Sequence, residues 1–352
     1  MDVYTLGLNG PEDMLDSFRS CIWNMQYYGF GDFELIAAAT KKNRNLLKIG
    51  TMLARSTDIG NETIKNIMVI QEIEIRTNTE SGDIITARGK GLKYDLLRKR
   101  IVWEQTNTDG TVEDAIRKAI TDNFISPNNA GRAIPNMVLA ARNGWEETAK
   151  IQLFGENIAE WVQEICQSYN YGWDVEIGNG KFIFRLYKGN DHTYSSGNPV
   201  IFSKEYDNLL ETTYSKMTEK YANTALIGGE GNGIAQRTAS IGDSTGKDRY
   251  ETFIDASSVS SNGEIITEQT YLSMLQEYGR TQLSNTQEVD KISATVDYKK
   301  PFEIGKDFDL GDTVQIITDE VEAVARVLEV IYSEAPEGIT VIPTFSEWEQ
   351  MG

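Results

Sequence analysis

The sequence predicts an α+β chain that is mainly β. Two antiparallel β-barrel regions flank an α+β unit, and a helix interrupts the second barrel. Three observations lead there. Short apolar-alternating segments separated by Gly, Asn and Asp occupy the stretch before residue 92; two segments of helical periodicity follow it; and strand-like segments resume after residue 199. With 352 residues, 40% apolar and 10% aromatic, the chain has enough apolar surface for several cored units.

Taken in order, "DFELIAA" (32–38), "LLKIGTMLAR" (46–55), "IMVIQEIEIRT" (67–77) and "DIITARG" (83–89) read as strands. In "QEIEIR", Ile73 and Ile75 alternate with Glu72, Glu74 and Arg76, so the isoleucines should face a core and the glutamates the outside. "TVEDAIRKAITDNF" then puts Val112, Ala115, Ile116, Ala119, Ile120 and Phe124 on one helical stripe, with Thr111 as N-cap and the "EDAIRKAITD" acids on its polar side. "ENIAEWVQEICQSY" aligns Ile158, Trp161, Val162, Ile165 and Tyr169 in the same way. "WDVEIGNGKFIFRLY" reads as a hairpin turning at Gly178-Asn179-Gly180. "PVIFS", "NTALIGG", "DRYETFIDA", "KISATVDY", "DTVQIIT", "AVARVLEVIY" and "GITVIPTF" are further strands, and "TEQTYLSMLQEYGRTQLS" (267–284) is a helix among them. The expected domains are 1–91, 92–198 and 199–352, with the helical insertion at about 256–288.

Charge narrows the function. Lys plus Arg number 34 against 53 Asp plus Glu, a net −19, which opposes tight binding of nucleic acid or of an anionic membrane surface. "MDVYTLGLNGPEDML" has no basic leader region, and no run of about 18 apolar residues predicts a membrane span. Cys21 and Cys166 lie far apart and read as buried free thiols.

The chemical motifs fail one by one. "ALIGGEGNGIAQRTASIGDSTGKDR" (225–249) looks like a phosphate cradle, but Gly242 and Gly246 have three residues between them where a P-loop has four. Asp248 follows Lys247 where a hydroxyl is needed, and Gly229-Glu230-Gly231 does not continue as a dinucleotide fingerprint. The stretch reads as a glycine-rich strand connection. His192 is the single histidine, in a polar loop, and two distant cysteines cannot make a zinc site. Trp23, Tyr27, Tyr28, Tyr169 and Tyr171 suit either a sugar cleft or a core. No G-x-S-x-G elbow occurs. The expectation is no catalytic residue, no cofactor and no metal.

Several stretches in order resemble a known family. "DIITARGKGLKYDLLRKRIVW" is similar to the strand, Arg-Gly, short helix and Leu-x-x-Arg element of tail-hub proteins of long-tailed bacteriophages; "DGTVEDAIRKAI" matches their G-T-x-E-D-x-I helix. "GWDVEIGNGKFIFRLYKGNDHT" follows, with His192 where Arg is common. "PVIFSKEYDNLLETTYSKMTEKYANTALIGGEGNG" supplies Tyr-x-Asn-Leu and Y-A-N-x-A-x-x-G-G-E-G, and "DRYETFIDAS" and "DFDLGDTVQI" complete the set. The resemblance spans about residues 30–345.

The resemblance implies the fold of contractile-phage baseplate hubs, with two tube-like barrels per subunit. It implies a homotrimeric, pseudo-sixfold ring at the distal tail end of a virion, adapting the sixfold tube to a threefold tip. Implied partners are the distal tail, tail tube and tape-measure proteins and the tip, fibre or receptor-binding proteins. DNA would pass through such a ring without sequence-specific binding. Some relatives continue into a wall-cleaving or receptor-binding extension; the sequence ends at "PTFSEWEQMG", so lytic activity is not carried over. A wall-degrading enzyme and a carbohydrate-binding module remain the rival readings. An acidic or neutral channel lets DNA slide, which makes Glu72 and Glu74 the candidate channel-facing residues.

Overall fold

The alternating segments become strands that pair mainly with their neighbours in sequence, and the two stripe-bearing segments become capped helices. The structure is a computed structural model that describes residues 2–15, 17–77, 82–263, 265–286, 289–296, 302–318 and 322–350. The N-terminal region holds β1 (Val3–Gly7), β2 (Gly10–Met14), β3 (Ser20–Gln26), β4 (Asp32–Ala38), α1 (Lys41–Leu46), β5 (Met52–Arg55), β6 (Met68–Arg76) and β7 (Ile84–Gly91). The middle holds α2 (Leu92–Leu97), β8 (Thr106–Thr111), α3 (Val112–Ile120), β9 (Met137–Leu139), β10 (Thr148–Leu153), α4 (Ile158–Ser168), β11 (Gly172–Gly178) and β12 (Lys181–Tyr187). Next come β13 (Ile201–Ser203), β14 (Leu209–Met217), β15 (Thr224–Gly228), β16 (Thr238–Ile241), β17 (Glu251–Asp255) and α5 (Glu268–Leu283). The last strands are β18 (Val289–Val296), β19 (Thr313–Ile317), β20 (Glu322–Ala335) and β21 (Gly338–Gln350). The chain is mainly β, as its sequence predicts.

Both β-rich ends of the chain enter one thirteen-stranded sheet. Its path runs β14-β18-β21-β20-β3-β4-β7-β6-β5-β1-β2, with β19 also on β20 and β13 parallel to β19. β20 makes the junction. Its first half, Glu322–Arg326, pairs with β19, and its second half, Glu329–Glu334, pairs with β3. Against β21 the register of β20 shifts within its first half, at Val324/Arg326, and between the halves, at Val327/Glu329, and such bulges bend a strand towards a new partner. One core lies under this junction: Trp23, Leu35, Leu53 and Ile85 from one end pack with Phe202, Val327 and Phe345 from the other.

The middle region has its own core. Thr111 caps α3, its hydroxyl accepting the Asp114 N–H at 3.2 Å, and Asn157 caps α4. The buried faces of both helices, Ile116 and Ile120, Val162 and Ile165, meet Trp173, Val175 and Phe184 of the β11–β12 hairpin. The hairpin turns with Asn179 at φ 52° and Gly180 at φ 71°, the left-handed pair of a two-residue type I′ turn. β9 extends this sheet in parallel with β12.

A third core is small. β15 pairs with β16 antiparallel and with β17 parallel, and α5 covers one face through Tyr271, Met274 and Leu275. The helix read as an insertion therefore brings a sheet of its own, and "ALIGGEGNG…GKDR" is the set of turns around β15 and β16. Two residues at the end of the expected insertion, 287 and 288, and residue 264 within it lie outside the described residues.

Two local expectations change. The segment 46–55 is not one strand: Thr40 caps α1, which ends at Leu46, Gly50 turns at φ 85°, and β5 starts at Met52. Ile75 does not face a core but is 43% exposed. Met68, Val69 and Ile70 are buried, a bulge follows between Ile70 and Glu72, and the end of β6 runs beyond the core, with Ile73 only partly buried. Cys21 and Cys166 are both buried and free. Among the described residues, no helix is long and apolar enough to cross a membrane.

Candidate functional site

Glu72 and Glu74 lie on the outer face of β6, organised around a residue the sequence reading passed over. β7 is flanked by β4 and β6, and register places Arg88 opposite Glu34 on one side and Glu72 on the other. The Arg88 guanidinium donates to Glu34 Oε2 at 2.6 Å, Glu72 Oε1 at 3.1 Å and Glu74 Oε2 at 3.3 Å, while Arg76 Nε reaches Glu74 at 2.7 Å. The bonds from Arg76 and Arg88 hold the Glu74 carboxyl below its ordinary range. The bonds to Glu34 and Glu74 raise Arg88 in turn. The face thus carries three carboxylates against two guanidiniums, a slightly acidic, ion-paired surface. Period-2 spacing in "DFELIAA" and "TARGK" already puts Glu34 and Arg88 outward; their pairing across strands is what the spacing does not contain.

The stretches quoted for the resemblance turn out to be structural junctions. Glu113, assigned to the polar side of α3, is fully buried instead. Its carboxylate accepts the N–H groups of Asn143 (2.7 Å), Gly144 (2.8 Å) and Trp145 (3.3 Å), fastening a loop across the helix start. Burial pushes its pKa up, and these bonds outweigh burial, so the carboxyl sits below its usual range. In Tyr-x-Asn-Leu, buried Asn208 accepts from Ser203 N at 2.8 Å and donates to Ile201 O at 2.7 Å, closing the end of β13. Glu230 of G-G-E-G accepts from Ser260 Oγ (2.7 Å), Ser261 N (2.8 Å), Ser261 Oγ (2.6 Å) and Arg237 (3.1 Å). Its charge therefore faces protein donors, and the glycine-rich loop holds α5 and the 256–261 segment onto β15.

The aromatic candidates for a sugar cleft are inside. Trp23, Tyr27 and Tyr171 are fully buried and Tyr28 nearly so; Tyr169 is half-buried with its hydroxyl on Glu277 Oε1 at 2.8 Å. The four buried rings offer a ligand no open face. His192 is mostly covered as well, its Nδ1 3.1 Å from Asn198 O and its Nε2 3.3 Å from Oδ2 of buried Asp312. Asp312 also accepts from Asn190 N and Asp309 N, both at 2.7 Å, so this group ties the hairpin tail to β19. Burial raises the Asp312 carboxyl. Lys93 is buried between Gln26 O (2.8 Å) and Trp173 O (3.1 Å), and desolvation pushes its amine down to about 8 against the pull of Asp174. Among the described residues no group of three or more His, Cys, Asp or Glu is placed to hold a metal.

Comparison with known proteins identifies the fold and the family. No curated protein matches the sequence. Among solved structures, the tail protein from Neisseria meningitidis MC58 is similar at TM-score 0.61 and 16% identity, over 98% of this chain and 96% of that one. The 43 kDa tail protein of prophage MuSo2 from Shewanella oneidensis is similar at TM-score 0.59 and 13% identity, over 98% of both chains. Prophage tail protein gp18 from Listeria monocytogenes EGD-e follows at TM-score 0.54 and 12% identity, over 98% and 94%. The fold is therefore that of these tail proteins. The model of one sequence family matches residues 4–345, nearly the whole chain, and the chain belongs to that family, the Siphovirus ReqiPepy6 Gp37-like proteins.

Proposed function

We propose that the chain is a non-enzymatic structural hub of a phage or prophage tail tip, three copies of which form a ring. The observation that carries this is the family match over residues 4–345, together with a fold shared end to end with phage tail proteins. In this reading the two β-rich regions supply six tube-like units per trimer, the domains being 1–91, 92–198 and 199–352. The ring joins the sixfold tube and distal tail protein to a threefold tip in the virion and lets DNA through during ejection. The β4–β7–β6 face, with Glu72 and Glu74 paired to Arg88, faces the channel and offers DNA no surplus of positive charge. A second observation favours assembly. Among the described residues, Leu226, Ile234, Tyr250, Phe253 and Ile265 are exposed large apolar side chains in or beside the small β15–β16–β17 unit, and apolar side chains left open in this way suit a surface that assembly covers.

Light scattering of the purified chain, followed by reconstruction of an assembled tail tip, tests the proposal. Three copies in one ring, with a lumen lined by acids or balanced pairs, is the expected result. One or six copies, or a lumen lined mainly by Lys and Arg, refutes it. Zymography on bacterial cell wall should show no clearing; a clear zone would favour the enzymatic reading.

A further inference from the structure

We propose that the cleft beside the end of α3 is a binding site for a short neutral saccharide, separate from the hub role and not resting on it. The cleft holds ≈ 430 Å³, inside the roughly 300–1,000 Å³ span of small-molecule sites. It exists because α3 does not end cleanly. After Ile120 the chain makes a π turn, Thr121–Ile125, closed by Ser126 N on Thr121 O at 2.8 Å. The 126–132 loop then doubles back beside the strand lead-in 103–107. π turns are rare and occur disproportionately at binding sites.

The lining matches hydroxyl chemistry. Its charged members are two of each sign, Glu104 and Asp122 against Lys118 and Arg132, so a strongly charged ligand gains nothing there. Lys118 and Asp122 pair with each other at 2.6 Å, and Asn128 Nδ2 donates to Glu104 at 2.5 Å. Asn107 also lines the cleft, and its carboxamide makes no hydrogen bond to another of the described residues. Carboxamides both donate and accept, which is what sugar hydroxyls require.

The rim supplies the apolar half of the recognition. Trp103 is 61% exposed, although tryptophan is rarely left so open. The Arg132 guanidinium, itself part of the cleft wall, lies 5.5 Å from the centre of the indole. Arg132 is fixed by Ile101 O at 2.7 Å and Asn123 Oδ1 at 3.0 Å, so the ring is held at the cleft edge with broad aromatic surface in solvent. A pyranose stacks its C–H face on such a ring while its hydroxyls turn to amides and carboxylates. Peptides would instead seek a free strand edge or apolar pockets, and this cleft is walled by polar side chains.

The full chain is screened on an array of neutral hexose and N-acetylhexosamine oligosaccharides, and the strongest binder is titrated by calorimetry. Saturable binding is expected, weakened about tenfold or more by Trp103→Ala and measurably by Asn107→Ala, with Trp103→Phe partly retained. Both side chains are exposed, so the variants should melt with the parent. Absence of binding to every neutral oligosaccharide, binding unchanged in Trp103→Ala, or preference for acidic glycans would each overturn the proposal. Light scattering on the same preparation reports the ring independently, so failure here leaves the hub reading standing.

Discussion

Glu113 is a charged residue in a position that ordinarily admits none. Three backbone N–H groups and the Asn143 carboxamide, which also donates to Leu186 O, converge on it, so the buried charge is matched by hydrogen-bond donors. Glu113→Ala strands those donors, each costing about 1–3 kcal/mol, and the expected loss is about 3 kcal/mol in urea unfolding. Because the folded carboxyl titrates below the ordinary value of about 4.3, its stabilisation is full above that value and disappears as pH falls through the lower, folded one. Glu113→Gln should therefore flatten the acid limb of stability below about pH 5; an unchanged limb would mean that the contact contributes nothing. Lys93 has the opposite slope. Between about 8 and the ordinary value of about 10.4, the unfolded chain holds a proton that the folded one has lost, so this residue makes stability rise with pH there. Urea midpoints at pH 7.5 and 9.5 should show that rise in the parent and a smaller one in Lys93→Met.

At the scale of elements, close approach decides what the strands can carry. A Cβ on Gly89 would stand 1.9 Å from Val69 O, in the backbone of the neighbouring strand beside the β6 bulge. Gly89→Ala cannot be absorbed by a rotamer change and should leave β6 and β7 unpaired, seen as loss of soluble folded protein. α5 meets a softer obstacle. A Cβ on Gly279 would lie 2.5 Å from Ile227 Cγ1, so Gly279→Ala should push the helix off β15 at a cost of about 1–3 kcal/mol. Hydrogen exchange should show that loss in β15 and α5, with β3, β4 and β20 unchanged. Equal loss in both would mean that the small unit and the large sheet open together.

The whole molecule is tied end to end. β20 pairs with β3 across some three hundred residues of sequence, Gln26 Nε2 donates to Glu329 Oε1 at 2.8 Å, and Lys65 pairs with Asp309. The N- and C-terminal β regions share one core, so they should unfold in one transition, and the first 91 residues alone should fail to fold. Hydrogen exchange giving β3 and β20 the same opening energy supports this; a stably folded 1–91 fragment would refute it. In the proposed ring, the tie would make each subunit rigid across both of its proposed tube-like units.

Residue order alone determined the kind of element at most positions: the stripes of α3 and α4, the helix at α5, the cap Thr111, the Asn179-Gly180 turn and the failure of the glycine-rich stretch as a phosphate cradle. Each depends on neighbours within a turn or two, where spacing and backbone preference act directly. The misread segment 46–55 failed because its apolar residues outweighed the cap at Thr40. Glu72 and Glu74 were legible as an outer face, whereas their neutralisation by Arg88 and the course of the end of β6 beyond the core were not. Only the tertiary structure decided that Trp23 and Tyr171 are core, that Glu113 and Lys93 are buried charges, that Trp103 is left in solvent, and that β20 serves both ends of the chain. Those outcomes depend on which strand lies beside which, and a period of two specifies a face without naming the strand it meets.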